Sequence, residues 1–291
     1  FRLFAERIGV SKNDSLIDYV LFEDAMREVM NESDQRRIAV LDPLRLIIDN
    51  YPEGQVEECF APNHPLHSEL GQRAVPFSRE LWIEGEDFME VPSKGYRRLF
   101  PGNMARLRYG YVVKCTGCDK DADGNVTTVY ADYFPDSKSG TPGADAYKVK
   151  GNIHWLSAAE AMPAEVRLYD RLFAVPFPGS RHPWGVKEGA AEIAAPARAA
   201  VVAGDEGDDR EEGDVVEAIE RNYLDDLNPG SKRVITAFVE PALAAAAPED
   251  RFQFERHGYF VADLGDHAPG RPVFNRTVTL KDSWSKPPSG P

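Results

Sequence analysis

The spacing of apolar residues changes near residue 35. Over 15–30, Leu16, Ile17, Val20, Leu21, Met26, Val29 and Met30 recur at helical spacing behind an Asn13-Asp14-Ser15 start signal, with Asp18 three residues beyond Ser15. One helix is predicted there. From Ile38 onward the apolar runs are short or alternating and are broken by Pro, Gly and Asp, as at 44–48 before Asn50-Tyr51-Pro52-Glu53-Gly54 and at 81–83 before Glu84-Gly85. Further strands are predicted over 105–114, 126–130, 148–156, 165–175, 233–239, 252–262 and 273–280. Short strands at this spacing predict an all-β barrel or sandwich. Nothing repeats strand–helix–strand, which excludes a parallel nucleotide-binding sheet.

With 291 residues, 42% of them hydrophobic and 28% charged, the chain can fill two cores. The stretch 180–226 stands apart, Ala-rich and then acidic, with few large apolar residues before Val215 to offset its ordering entropy. It reads as a flexible insertion with a short helix over 215–224, or else as an acidic tail that mimics RNA or recruits a basic partner. No run of eighteen apolar residues and no signal-peptide pattern occurs, so neither membrane insertion nor secretion is expected. Three cysteines are too few for a disulfide framework, and a cytoplasmic location follows as an expectation. The opening at Phe1, within a helical pattern, points to a missing upstream part.

A net charge of −14 argues against a nucleic-acid partner until its distribution is considered. Residues 185–226 alone carry thirteen acidic and four basic side chains. Residues 92–114 carry Lys94, Arg97, Arg98, Arg106, Arg108 and Lys114 with no acidic residue, interleaved with Tyr96, Tyr109 and Tyr111. Cations for phosphates and flat rings for unstacked bases suit single-stranded RNA. The plain alternative is a solvated surface strand.

Candidate catalytic chemistry is sparse. Cys115-x-x-Cys118 lacks the second pair of a structural zinc site, and Pro65 between His64 and His67 fits a loop better than a metal helix. No phosphate-loop, dinucleotide or serine-hydrolase motif is present. Arg106 and Arg108, two residues apart, are expected on one sheet face. On a regular strand over 251–262, Gln253 and Arg256 point to opposite faces, so a shared site needs a bulge or bend near His257-Gly258.

Several strings resemble glutaminyl-tRNA synthetases of the bacterial type: RIGVSKND (7–14), IAVLDP (38–43), NHP (63–65), VPFSRELWIEGEDF (75–88), the stretch from KVKGNIHW to YDRLF (148–173), RFQFERHGYFVAD (251–263) and PVFNRTVTLKDSW (272–284). The ATP-binding signatures of that family are absent, so the chain resembles only the region C-terminal to them. The resemblance implies a mainly β fold, two β-barrels of the anticodon-binding type preceded by a short helical segment. The expected divisions are a helical connector over 1–35, a first barrel over 36–150 and a second over 151–291 with the acidic insertion at about 180–226, strands being free to exchange. It implies a tRNA anticodon stem-loop as partner, a monomer, and no cofactor in this chain, ATP with Mg2+ belonging to the parent ligase. Arg36 and Gln253 match residues that hold the middle base, with Arg256 close by. Arg98, with Arg97 beside it, matches a contact to the third base. Arg106, supported by Arg108, matches a contact to the first, and Ser283 stands near that pocket. Tyr109 departs from the family's Asn, and Leu66 replaces a polar residue. A glutamyl-tRNA synthetase sharing these barrels and a barrel-type ribosomal RNA-binding protein remain as alternatives.

Overall fold

A computed structural model describes residues 1–10, 12, 17–175, 178–179 and 222–281. Two helices open the chain, α1 (Arg2–Ile8) and α2 (Tyr19–Ser33). Asp18 caps α2 by accepting the Val20 N–H at 3.0 Å. The helix therefore starts later than the sequence predicts, because the carboxylate at residue 18 satisfies a first-turn amide that would otherwise be orphaned. Ser15 lies outside the described residues. Only Ala25 of α2 is fully buried, and Arg27 fastens the helix to the rest by donating to the Thr279 carbonyl at 2.8 Å.

The strands are, in chain order, β1 (Gln35–Arg37), β2 (Ala39–Val40), β3 (Pro43–Ile48), β4 (Glu57–Pro62), β5 (Gln72–Phe77), β6 (Glu80–Glu84), β7 (Met104–Leu107) and β8 (Val112–Lys120). After these come β9 (Val126–Tyr133), β10 (Gly151–Ile153), β11 (Leu156–Ser157), β12 (Met162–Tyr169), β13 (Lys232–Val239), β14 (Arg251–Phe254), β15 (Gly258–Ala262) and β16 (Val273–Thr279). They form a seven-stranded sheet in the order β10-β7-β8-β9-β3-β6-β11, a second in the order β1-β14-β15-β16-β12-β13-β2, and the β4–β5 ribbon. The outer strands of the first sheet are two pieces of one segment, 151–157, and those of the second are two pieces of 35–40. Each sheet thus takes its closing segment from chain adjoining the other sheet, and the two are interlocked.

The expectation of two full barrels is corrected. The first sheet is near-closed around a large apolar core that includes Leu46, Ile48, Phe77, Leu81, Ile83 and Trp155. The second is an open half-barrel: β12 and β13 pair over eight residues, but β16 pairs with β12 only over 165–167, so the far end of the hairpin stands free of it. Its core is smaller, built on Phe252, Phe254, Phe260 and Phe274. Alternating burial along β3, β5 and β12 puts one face of each on a core, as a period of two requires.

Two segments that read as single strands are hairpins. The run 105–114 breaks into β7 and β8 at a turn where Gly110 N–H reaches the Leu107 carbonyl at 2.8 Å and Tyr109 adopts a left-handed φ of 65°. The run 252–262 breaks into β14 and β15 at Glu255-Arg256-His257, with Arg256 at φ 71°. Gly258 comes next at φ 146°, where a Cβ would lie 2.5 Å from the Val278 carbonyl oxygen, so the turn closes only with glycine there. The run 148–156 is also interrupted, at His154-Trp155, where the segment changes partner from β7 to β6. Gly151 lets it pass the Arg97 carbonyl, which a Cβ would meet at 2.2 Å.

Candidate nucleic-acid interface

Both hairpin turns face the seam between the sheets, and with the end of β1 they enclose a cavity of about 220 Å³ lined by Arg36, Pro62, Pro65, Arg108, Tyr109, Gln253, Glu255 and Arg256. Four residues expected to contact the bases therefore meet, Arg36, Arg108, Gln253 and Arg256, with Tyr109 beside them. Arg36 and Gln253 are direct partners in the parallel β1–β14 register. The bend required for Gln253 and Arg256 to share a site is the Glu255-Arg256-His257 turn, and a bulge lies beyond it between Tyr259 and Phe260.

Each of these side chains is braced. Arg36 is 6% exposed and donates to the carbonyls of Asn31 and Asp34 and to the Asn31 side chain, at the C-terminal end of α2 where free carbonyls favour a cation. Burial draws its guanidinium below the usual arginine range. Gln253 donates its amide N–H to Tyr259 Oη at 3.2 Å, and its side-chain carbonyl accepts no bond among the described residues. Arg108 Nε stands 2.6 Å from Glu255 Oε2 and its guanidinium lies over the Tyr109 ring, 5.0 Å from the centroid. Tyr109 Oη donates to Glu255 Oε1 at 2.9 Å. Arg256 is held bidentately by Asp87, at 2.6 and 2.8 Å, and by Glu86 at 2.7 Å. Burial lowers the Arg256 guanidinium, and the carboxylates of Asp87 and Glu86 more than reverse the effect.

Tyr109 and Arg256 are two of the three described non-glycine residues with positive φ, the third being Glu249. A bulky side chain in that region is held by its surroundings against a local steric penalty. Trp155 Nε1 donates to the Arg108 carbonyl at 2.9 Å, and Glu255 N–H donates to the Arg37 carbonyl at 2.9 Å, fixing the two turns. Strained backbone collected at one cavity marks that cavity as the functional candidate.

The remaining expected residues lie elsewhere. Arg98 stands beside the cavity, with Nη1 2.9 Å from Glu86 Oε1 and 3.2 Å from Asp87 Oδ1. Arg97 is exposed and has no side-chain bond among the described residues. Arg106 points away from Arg108: its guanidinium donates to the carbonyls of Ser137 and Ala144 at 2.8 Å each and so holds the loop after β9. Arg108 has already left the strand, so the expected shared face is lost to the turn. Ser283 lies outside the described residues, as does most of the acidic insertion.

Sequence reasoning missed the anionic half of the site. Arg73 on β5 donates to Glu240 Oε1 at 2.5 Å, Glu240 is fully buried with Arg37 Nε at 3.4 Å, and Arg73 Nη2 is 3.8 Å from Glu255. Three successive turn residues are thus gripped by the first sheet and its ribbon: Glu255 by Arg73 and Arg108, Arg256 by Asp87, His257 by Glu84. The available signal was the carboxylate cluster Glu84, Glu86 and Asp87 just before the basic stretch.

Glu84, His154 and His257 bring three metal-ligand atoms within 4.8 Å of one another. Glu84 Oε1 lies 3.2 Å from His154 Nε2 and 2.8 Å from His257 Nε2, and the carboxylate also accepts the N–H groups of Leu41 and Asp42. A metal on His154 Nε2 would move the ring proton to Nδ1, which is buried with no acceptor. The donor set instead suits a carboxylate accepting two imidazole N–H bonds. Burial raises the Glu84 carboxyl, but the bonds from His154 and His257 outweigh it and hold the group well below the usual range. The other metal-like spacings have ordinary partners: His67 contacts Glu69 and Glu32, His64 contacts the Asn31 carbonyl, and burial pushes the Cys115 thiol up to about 11.

Two family models, each described as tRNA synthetases class I (E and Q), anti-codon binding domain, match residues 35–134 and residues 152–200 with 208–263. The chain is 57% identical over 285 residues to the glutamine–tRNA ligase of Cupriavidus metallidurans, covering 98% of this chain and 42% of that protein. Identity is 57% to the glutamine–tRNA ligase of Ralstonia nicotianae and 50% to that of Nitrosomonas europaea, over 98% of this chain and 43% and 44% of theirs. The chain therefore spans less than half the length of these relatives. It belongs to the anticodon-binding domain family of the class I glutamyl- and glutaminyl-tRNA synthetases, and corresponds to that region of the glutamine–tRNA ligases.

Proposed function

We propose that this chain reads the anticodon loop of a glutamine tRNA for a longer ligase that joins glutamine to that tRNA with ATP and Mg2+, both used outside this chain. The observation that carries the reading is the register pairing of Arg36 with Gln253 inside a cavity also lined by Arg108 and Arg256. An unstacked base presents an edge of donors and acceptors, and a planar amide opposite a guanidinium can match one edge and mismatch others. On this reading the cavity receives the middle base, Arg98 with Arg97 faces the third, and Arg108 with Tyr109 faces the first while Arg106 holds the adjoining loop and Ser283 completes that pocket. The protein works as a cytoplasmic monomer, and no described helix is long and apolar enough to cross a membrane.

The test is binding of the glutamine anticodon stem-loop against the same stem with a scrambled loop. Preference for the cognate loop by at least about tenfold is expected, since phosphate contacts alone carry no sequence information. Equal affinity for both would refute the reading. Glutamine-dependent ATP turnover by this chain is expected to be absent, and its detection would overturn the assignment of chemistry to the rest of the parent.

A further inference from the structure

Arg98 lies on the segment leading into β7 and Arg256 on the β14–β15 turn, yet their guanidinium groups converge on the same two carboxylate oxygens. Glu86 Oε1 is 2.9 Å from Arg98 Nη1 and 2.7 Å from Arg256 Nη2. Asp87 Oδ1 is 3.2 Å from Arg98 Nη1 and 2.8 Å from Arg256 Nη2. The two acids differ in burial: the Glu86 side chain is 65% exposed, whereas that of Asp87 is fully covered. The Asp87 main chain is fixed too, its carbonyl accepting the Leu99 N–H at 3.0 Å. Its other oxygen, Oδ2, takes Arg256 Nη1 at 2.6 Å. Glu86 can exchange its side-chain contacts for water, but Asp87 cannot, so one immobile oxygen carries both the Arg256 hydrogen bond and an ion pair with Arg98, whose own hydrogen bond goes to the Glu86 carbonyl at 3.1 Å.

We infer that Asp87 is a positioning residue that couples recognition of the middle and third anticodon bases by sharing Oδ1 between Arg256 and Arg98. The inference rests on the anticodon reading above and deepens it. When the third base or its phosphate draws Arg98 outward, Oδ1 is left to Arg256, which is then held more firmly against the cavity that Gln253 lines. When the third base is wrong, Arg98 stays on Asp87 and Arg256 is held less well. Recognition of one base thus depends on the other, although no side chain touches both.

The experiment titrates four anticodon stem-loops, namely cognate, middle-base variant, third-base variant and the double variant, against wild type, Arg98→Ala and Asp87→Asn. In wild type the two base changes are expected to depart from additivity by at least about threefold, as for groups sharing one ion-pair network. Arg98→Ala is expected to reduce discrimination at the third base and to remove the departure from additivity, because Oδ1 then belongs to Arg256 whichever third base is present. Asp87→Asn should bring the two base changes close to additivity. If Asp87→Asn does not fold, the Arg98→Ala result decides alone. Additive base changes in wild type, or a departure from additivity of about threefold or more that persists in Arg98→Ala, would overturn the coupling while leaving anticodon reading intact. Uniform weakening of all four RNAs by a folded Asp87→Asn would also overturn it, showing a purely structural carboxylate. Failure of wild type to discriminate at either base would instead refute the anticodon reading itself.

Discussion

Inside the first sheet Leu46, Ile48, Phe77, Leu81 and Ile83 are fully covered in one apolar cluster. Alongside it, at the seam, Arg37, Arg73, Glu84, Asp87, Glu240 and Glu255 are covered almost as completely, and each is bonded to groups of opposite charge or to polar groups. The first region is specified by volume and alternation and tolerates any filling of the right size. The second is specified by pairing, so each member is necessary only while its partner remains. Only the second can present oriented donors and acceptors to a base. The sheets make the frame, and on the proposed reading recognition sits where the frame is polar.

The largest effects should come from single truncations in either region. Phe77→Ala and Glu240→Ala are each expected to cost on the order of 3–5 kcal/mol in chemical denaturation, the first through a cavity, the second through stranded Arg73 and Arg37. The comparison sharpens with the double replacement Arg73→Met with Glu240→Leu, which should recover at least half of the Glu240→Ala loss. Arg37 keeps the Arg36 carbonyl and Asn63, and Glu255 keeps Arg108 and Tyr109. A double mutant no more stable than Glu240→Ala would break the comparison.

Acid should weaken the seam before the cores. Burial pushes the His154 imidazole below its ordinary 6.5, so the unfolded chain binds the proton more readily and stability falls as pH drops through 6.5. Glu84 is also held below its ordinary 4.5, and its contribution is present above that value and lost as pH falls through the lower folded one. Thermal melting from pH 8 to pH 4 is expected to show a progressive decline, and His154→Asn should remove its upper part. A decline unchanged by that substitution would place its origin elsewhere.

Smaller effects separate bracing from local strain. Tyr109→Phe removes one hydrogen bond to Glu255 and should cost about 1 kcal/mol. Tyr109→Asn should lie within about 1 kcal/mol of wild type, because Asn tolerates a left-handed backbone better and offsets part of the lost packing. Lys94 is exposed and outside the cavity; if RNA passes it as a phosphate contact, Lys94→Ala should weaken all RNAs alike and lower the salt slope by about one.

Most strands were legible because alternation with one buried face is a local property, as at 44–48. The β4–β5 ribbon was missed, since its proline-flanked residues alternate weakly. The hairpin turns were missed because alternation runs on through Arg106 to Tyr111 and through Phe252 to Val261, while left-handed φ at Tyr109 and Arg256 is no preference of those residues. Trp155 and Arg37, distant in sequence, hold those turns. The Arg36–Gln253 pair came from family resemblance alone, for no periodicity reveals the register of strands so far apart. The carboxylates that brace the arginines were visible as residues, but not as partners.

The most direct test of anticodon reading is a binding titration of the anticodon stem-loop and its middle-base variants at two salt concentrations, comparing wild type with Gln253→Ala. Loss of on the order of 1–3 kcal/mol with the cognate middle base and much less with a mismatched base is the predicted result, at both salts, because an amide reads a base edge and not a phosphate. Equal loss across every middle base would contradict it, and would make Gln253 a support for the β14–β15 hairpin through Tyr259 instead of a reader of the anticodon.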